Sequence, residues 1–400
     1  MNKFELKNKI SVVFEQAKNS QKVALCLNLS ISEEEKLQPT YNLMSRLLLK
    51  GINLDKNIIE LHCKKERDFL SFQLTCANQD LALALETLAE VIENPPFKGL
   101  SSIDFDVEKS RIREEILSEL DLPKVEVFDN YYKALFEGHF YSNTQSETIE
   151  NLDKIAKEDV EKAYGQVVLM GKKVIAVVAD LPVEDVEALL NKHFGTFKNE
   201  AVQELNSASP CLKESKSLEK IKSGIEKSQV VFGWIFPTFD SDDYAAISVL
   251  NIILGHEGLC SRLFLELRGE QDLVYAIRSS YDTYKQSASL SIYIATSAEN
   301  IEKALEEATK VIQLLKQDGV DDVELNYAKK VLLSRAKKSE ENITELASQL
   351  AFYYTMVLGP DFQEKFMEKV KKITSEQVQL CANEYFRGKP VVSILRSGIK

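Results

Sequence analysis

Histidine is scarce. Only four occur in 400 residues, at His62, His139, His193 and His256, and no two of them share a helix-face spacing. A two-histidine metal motif is therefore excluded, and each is expected to be a surface or a satisfied core histidine. The six cysteines, Cys26, Cys63, Cys76, Cys211, Cys260 and Cys381, include no Cys-x-x-Cys pair. Scattered thiols suit a reducing compartment better than a disulfide framework or a metal cluster, so no metal and no cofactor are expected. No stretch approaches the roughly 18 consecutive apolar residues of a spanning helix. The start, Met1-Asn-Lys-Phe-Glu-Leu-Lys7, has no apolar run of the secretory kind. A cytoplasmic protein is the expectation. Basic residues are outnumbered, 50 against 62 acidic ones, for a net charge of −12. Neither nucleic acid nor an anionic membrane is then an expected partner, since both reward clustered Lys and Arg. No Gly-x-Ser-x-Gly elbow occurs. Gly165 to Gly171-Lys-Lys has one residue too many, and no Ser or Thr after the lysine, for a phosphate loop.

What is present repeats. Leu70 to Ile92 aligns without a gap on Leu290 to Ile312, with seven identical positions at an offset of 220. Farther on, Lys154-Ile155, Glu158 and Val160 match Lys372-Ile373, Glu376 and Val378 at an offset of 218. A register held this long describes two homologous halves of about 200 residues, not a solenoid, whose repeats are about 20 to 50 residues.

Each half reads as α+β, an antiparallel-rich sheet packed with helices. Val23 to Leu29, Phe69 to Leu74 and Ser289 to Ile294 alternate apolar and polar residues at period two, the mark of a half-buried strand. Helices follow. Leu81, Leu85, Leu88 and Ile92 form one apolar stripe, and Ile301, Leu305, Ala308 and Ile312 form another, with Asn78 and Ser297 placed as N-caps. Between about 201 and 228 Ser, Lys and Glu displace the periodic apolar positions, which predicts a linker joining domains 1–200 and 229–400.

Gln229-Val-Val-Phe-Gly-Trp-Ile-Phe-Pro237, Asp243-Tyr244 through Gly255, Gly258-Leu-Cys-Ser-Arg-Leu-Phe-Leu-Glu-Leu-Arg268 and Leu273-Val-Tyr275 together resemble the C-terminal half of insulinase-type (pitrilysin) zinc peptidases. The short bacterial and mitochondrial processing-peptidase branch is the nearest in pattern. The resemblance extends over nearly the whole chain and is most specific from Gln229 to Tyr281. It implies two homologous α+β halves in one chain, and two such chains closing like a clamshell around a peptide.

In that family a His-x-x-Glu-His helix holds Zn²⁺ through its histidines, its glutamate polarises the attacking water, and a later Glu is the third ligand. Aligning on Lys50-Gly51, which resembles the Lys-Gly after the motif, places Asn42-Leu-Met-Ser45-Arg46 on it. Both histidines and the glutamate are gone. The stretch Val107-Glu108 to Glu115 and on to Pro123 resembles the one supplying the third ligand, with Glu115 at the ligand position and Glu108 seven residues earlier on the same face. Asn42, Ser45, Arg46, Glu108 and Glu115 thus form a degenerate metal site that cannot bind zinc in the family's manner. An Arg46–Glu115 ion pair is expected to fill it. Read without the resemblance, Glu108 and Glu115 are a solvated helix face.

The second half keeps more. The family holds its substrate with an Arg at the end of the Ser-Arg-Leu-Phe helix and a Tyr seven residues on, and Arg268 and Tyr275 occupy both places. A guanidinium donates to peptide carbonyls, and a phenol can stabilise an oxyanion. From the residues alone they read as a surface Arg and a core Tyr. Gly255 and Gly258, flanking His256-Glu257, are expected in a tight loop at positive φ. Trp234 lies in an apolar run that reads as a core strand.

The resemblance therefore implies a non-catalytic subunit that pairs with a zinc-bearing homologue to make a peptidase for oligopeptides or unfolded segments, the substrate adding to a sheet edge. Two alternatives stay open: an inactive scaffold, and a homodimer that binds peptides without turnover.

Overall fold

The computed structural model of the chain describes all residues except 53, 56, 200–208, 211–214, 257, 360, 399 and 400. It divides into two compact units. Unit 1 comprises Met1–Ile116, Glu147–Ser207 and Ala336–Phe362, and unit 2 comprises Leu117–Ser146, Ala208–Arg335 and Gln363–Lys400.

Unit 1 is built on a six-stranded sheet ordered β1-β2-β6-β3-β5-β4. Its strands are β1 (Asn2–Glu5), β2 (Ser11–Gln16), β3 (Lys22–Ser30), β4 (Ile59–Lys65), β5 (Phe69–Ala77) and β6 (Lys173–Ala179). β3 runs antiparallel to β5 from Lys22↔Ala77 to Ser30↔Phe69, while β2 and β6 are parallel. The expected strands at Val23 and Phe69 are thus β3 and β5. Helices α1 (Gln38–Leu47), α2 (Leu81–Glu93) and α3 (Ser102–Leu120) come from the first part of the chain. β6 is buried at every position, and after Lys173 it reads as a continuous apolar run, as strands covered on both faces do.

Unit 2 repeats the plan. Its sheet is ordered β7-β11-β8-β10-β9, with β7 (Ser217–Lys222), β8 (Ser228–Phe236), β9 (Ala276–Thr283), β10 (Ala288–Thr296) and β11 (Val391–Ser397). Here too the outer pair, β7 and β11, is parallel, and β8, β10 and β9 are antiparallel to their neighbours. With β1 set aside, the two sheets have one topology, the structural counterpart of the sequence repeat. Trp234 lies on β8 in the unit's core beside Phe232, Leu290 and Ile292.

The units are not the contiguous stretches expected from the halves. α4 (Pro123–Leu135) belongs to unit 2 and the helix Ile343–Thr355 to unit 1. The reason is that each sheet has a second apolar face. In unit 1, Val13, Ala24, Cys26, Val174, Ala176 and Val178 present theirs to Ala347, Leu350, Ala351 and Tyr354. In unit 2, Val231, Val391 and Leu395 do the same for Val127, Tyr131 and Leu135.

Other expectations need correction. The proposed linker 201–228 falls partly outside the described residues, and its later part contains β7. That strand is exposed at five of its six positions and carries Glu219, Lys220 and Lys222. Charged edge strands protect a sheet from pairing with other chains, and the same charges erase the apolar alternation a strand usually shows. Asn78 and Ser297 do not cap with their side chains. Each stands at a 3₁₀ turn preceding its helix, and Asn78 instead donates to Ser20 O at 2.8 Å. Gly255 is not in the positive-φ region. It sits in the π-helical turn Ile252–His256, where a Cβ would lie 2.8 Å from the Ser279 nitrogen, so close approach explains the glycine.

Candidate functional site

α1 carries the residues expected at the degenerate metal site. Its first turn contains Pro39, whose fixed φ favours a helix start, and Tyr41, Leu43, Met44 and Leu47 anchor it in the core of unit 1. That leaves Asn42, Ser45 and Arg46 to make polar contacts. Asn42 donates through Nδ2 to Thr148 Oγ1 at 2.8 Å, and Ser45 donates to Asn42 O at 2.9 Å. Ser45 is therefore spent on its own helix, the usual back-bonding of a mid-helix serine.

Arg46 Nη1 lies 3.9 Å from Glu115 Oε2. The nearer partner of Glu115 is Lys50, which hydrogen-bonds Oε1. The position that a metal would take beside Glu115 is thus approached by two cations. Glu108 is not drawn into this group and turns to Arg111, one turn along its own helix. Lys50 is the residue that sequence reasoning missed. It served there only to fix the alignment, and because it lies in the turn after α1, beyond Leu47, no helical spacing pointed from it to Glu115. Among the described residues no group of three His, Cys, Asp or Glu side chains is placed to hold a metal ion.

Two of the histidines are engaged elsewhere. His139 Nε2 is 2.8 Å from Gln286 Oε1. His256 donates through Nδ1 to Ser279 O at 3.1 Å, and Nε2 faces the Arg278 guanidinium at 3.5 Å. Burial first, then the Arg335 and Arg278 charges, hold its pKa below the ordinary histidine range, so the ring is neutral near neutrality.

In unit 2 Arg268 lies in the π-helical turn Leu265–Glu270 and donates through Nη1 to Val274 O at 2.6 Å. Tyr275 follows directly. Its backbone nitrogen donates to Ala295 O at 2.8 Å, which ties it to the end of β10. Its side chain, however, is 52 % exposed, so it is not the core tyrosine that the residues alone suggested. Lys227 Nζ lies over its ring, 3.5 Å from the centroid. The fold thus brings Arg268 and Tyr275 together at the start of β9, the last strand of its sheet.

Residues 154–332 match the family model described as the Peptidase M16 inactive domain. An uncharacterized zinc protease of Mycobacterium leprae is 25% identical over 338 residues, covering 81% of this chain and 73% of its own. A non-peptidase homolog, YmxG of Helicobacter pylori, is 24% identical over 324 residues, covering 78% of this chain and 74% of its own. Among solved structures, a peptidase M16 inactive domain from Pseudomonas fluorescens superimposes with a TM-score of 0.87 at 20% identity, covering 100% of this chain and 98% of that one. The chain is thus similar to proteins of the insulinase (M16) family, and the part of it that matches a family model matches the domain described as inactive.

Proposed function

We propose that this chain is the non-catalytic subunit of a heterodimeric insulinase-family peptidase, giving peptide-binding surface and the Arg268–Tyr275 contacts to a zinc-bearing homologue. The observation that carries the reading is the exposure of Tyr275, 52 %, at the start of an edge strand. A tyrosine kept only for packing would be buried, whereas this phenol is open to a ligand. A peptide adding to β9 by backbone hydrogen bonds would pass the phenol and Arg268, with little demand on its sequence. The cations beside Glu115 support the other half of the reading, for they leave hydrolysis to a partner's metal. Relatives of the chain include proteins named as zinc proteases and one named as a non-peptidase homolog, so both kinds occur among them.

Affinity purification of the chain from its native cells, followed by zinc analysis and a fluorescent-peptide cleavage assay, tests the proposal. The expected result is zinc and turnover only in a complex with a homologue bearing His-x-x-Glu-His, with turnover lost on Arg268→Ala or Tyr275→Phe. A chain recovered alone, metal-free and inert overturns it in favour of a scaffold or a peptide-binding homodimer.

A further inference from the structure

Tyr275 is half exposed at a strand end, a place where an aromatic ring ordinarily turns between rotamers, yet two side chains converge on it. The first acts on the backbone. Arg268 binds the carbonyl of Val274, immediately before the tyrosine. The second acts on the ring. Lys227 immediately precedes β8, as Tyr275 immediately precedes β9, and both strands flank β10, with Ala295 of β10 paired to Gln229 on one side and Ala276 on the other. This register puts Lys227 and Tyr275 on opposite sides of the same strand end. The lysine reaches across it to lie 3.5 Å above the ring centroid. Its side chain is only 28 % exposed, although it is the last residue before the strand, and Glu226 pairs with the ammonium at 3.2 Å.

We propose that Lys227 is a positioning residue for the substrate contact: lying over the Tyr275 ring, it holds the phenol in one orientation toward a bound peptide. The inference rests on reading Tyr275 as a peptide contact. A cation over an aromatic face is attracted by the ring's quadrupole, so the contact opposes rotation without closing off the hydroxyl. An ammonium next to the phenol also polarises its O–H, making it a stronger donor to a peptide carbonyl. Contact with the phenol, and then with Glu226, holds the Lys227 ammonium above its ordinary pKa, so the cation persists throughout the neutral range. Lysine is suited to the task because its long stem can cross the strand end while only its head carries charge.

The test uses the full chain labelled with 3-fluorotyrosine, its Tyr275 resonance assigned by Tyr275→Phe, and fluorescein-labelled unfolded casein as the binding probe. Lys227→Met is expected to shift the Tyr275 fluorine signal toward that of free tyrosine and to weaken casein binding about two- to fivefold, the range of an exposed cation–π contact. Lys227→Arg, which keeps a cation over the ring, restores both. If Tyr275→Ala weakens casein binding but Lys227→Met changes neither the signal nor the affinity, the positioning role is overturned and the peptide contact stands. If the wild-type chain does not bind casein, or Tyr275→Ala leaves binding unchanged, the peptide-contact reading fails and takes this inference with it.

Discussion

Arg46 and Glu115 stand 3.9 Å apart in unit 1, and Lys50 hydrogen-bonds the other oxygen of the same carboxylate. One acid therefore serves two cations where a metalloenzyme would serve one metal. All three side chains are partly exposed, which sets the scale at about 0.2 to 1 kcal/mol for each pair. A double-mutant cycle by urea unfolding is expected to give most of that coupling to Lys50–Glu115 and less to Arg46–Glu115. Glu115→Gln should cost about 1 kcal/mol, because it leaves two neighbouring cations facing each other.

The same geometry predicts the response to zinc. A dication entering beside Glu115 meets Arg46 and Lys50, and among the described residues no His or Cys joins Glu115 in a group able to hold it. After incubation with zinc and desalting, metal analysis of the purified chain should find well under one equivalent. Retention of a full equivalent that Glu115→Gln abolishes would show that the ion pairs yield to the metal.

Gly233 explains how closely α4 sits on its sheet. A Cβ there would fall inside contact distance of Tyr131 Oη and Leu290 O, while Tyr131 itself is fully buried and 2.9 Å from Ser289 Oγ. Gly233→Ala is expected to lower stability by roughly 2 to 4 kcal/mol, since neither a backbone carbonyl nor a packed ring can retreat. Tyr131→Phe on the same background should not restore it, because the carbonyl clash remains. Recovery would mean that the phenol alone limits the approach.

Much of this architecture was legible in the sequence because both halves state it. Leu70 and Leu290 lie on β5 and β10, and the stripes from Leu81 and Ile301 are helices, because period and burial agree there. What was not legible is chiefly what a repeat cannot announce. The helix Ile343–Thr355 is amphipathic in sequence, but nothing in its own residues says that it covers the sheet face formed by Cys26 of β3 and Ala176 of β6. β7 was hidden by its edge charges. At the candidate site Asn42, Ser45, Arg46 and Glu115 could be singled out from the sequence, whereas Lys50 and Lys227 act through distances that only the folded chain supplies.

Lys173 gives the fold a pH signature. It is buried at the start of β6, where Nζ donates to Gly171 O at 2.9 Å, and burial pulls its pKa from 10.5 down to about 8. Between those values the unfolded chain binds more protons at this residue than the folded one, so stability contributed here rises as pH rises from about 8 toward 10.5. Below about pH 8 both states are charged, and the cost of burying the ammonium is carried in full. Lys173→Met should remove this rise and gain most below about pH 8, as read from urea midpoints across the range. A slope equal to that of the wild type would assign the alkaline dependence to other groups.

A buried hydrogen bond joins the sheet of unit 1 to the helix over it, from Asn28 Nδ2 to Thr355 Oγ1 at 3.1 Å. Asn28 is 1 % exposed, and Thr355 spends its own proton on Ala351 O at 2.7 Å. Thr355→Val therefore deprives a buried amide of its acceptor, at an expected cost of about 1 to 3 kcal/mol. Removing the amide as well should help, because an apolar pair of similar shape has nothing left to satisfy. Asn28→Leu combined with Thr355→Val is thus expected to be more stable than Thr355→Val alone, by denaturant unfolding. If the double variant is the less stable of the two, the hydrogen bond that Asn28 Oδ1 accepts from Cys26 Sγ at 3.5 Å is worth more than the one Asn28 donates to Thr355.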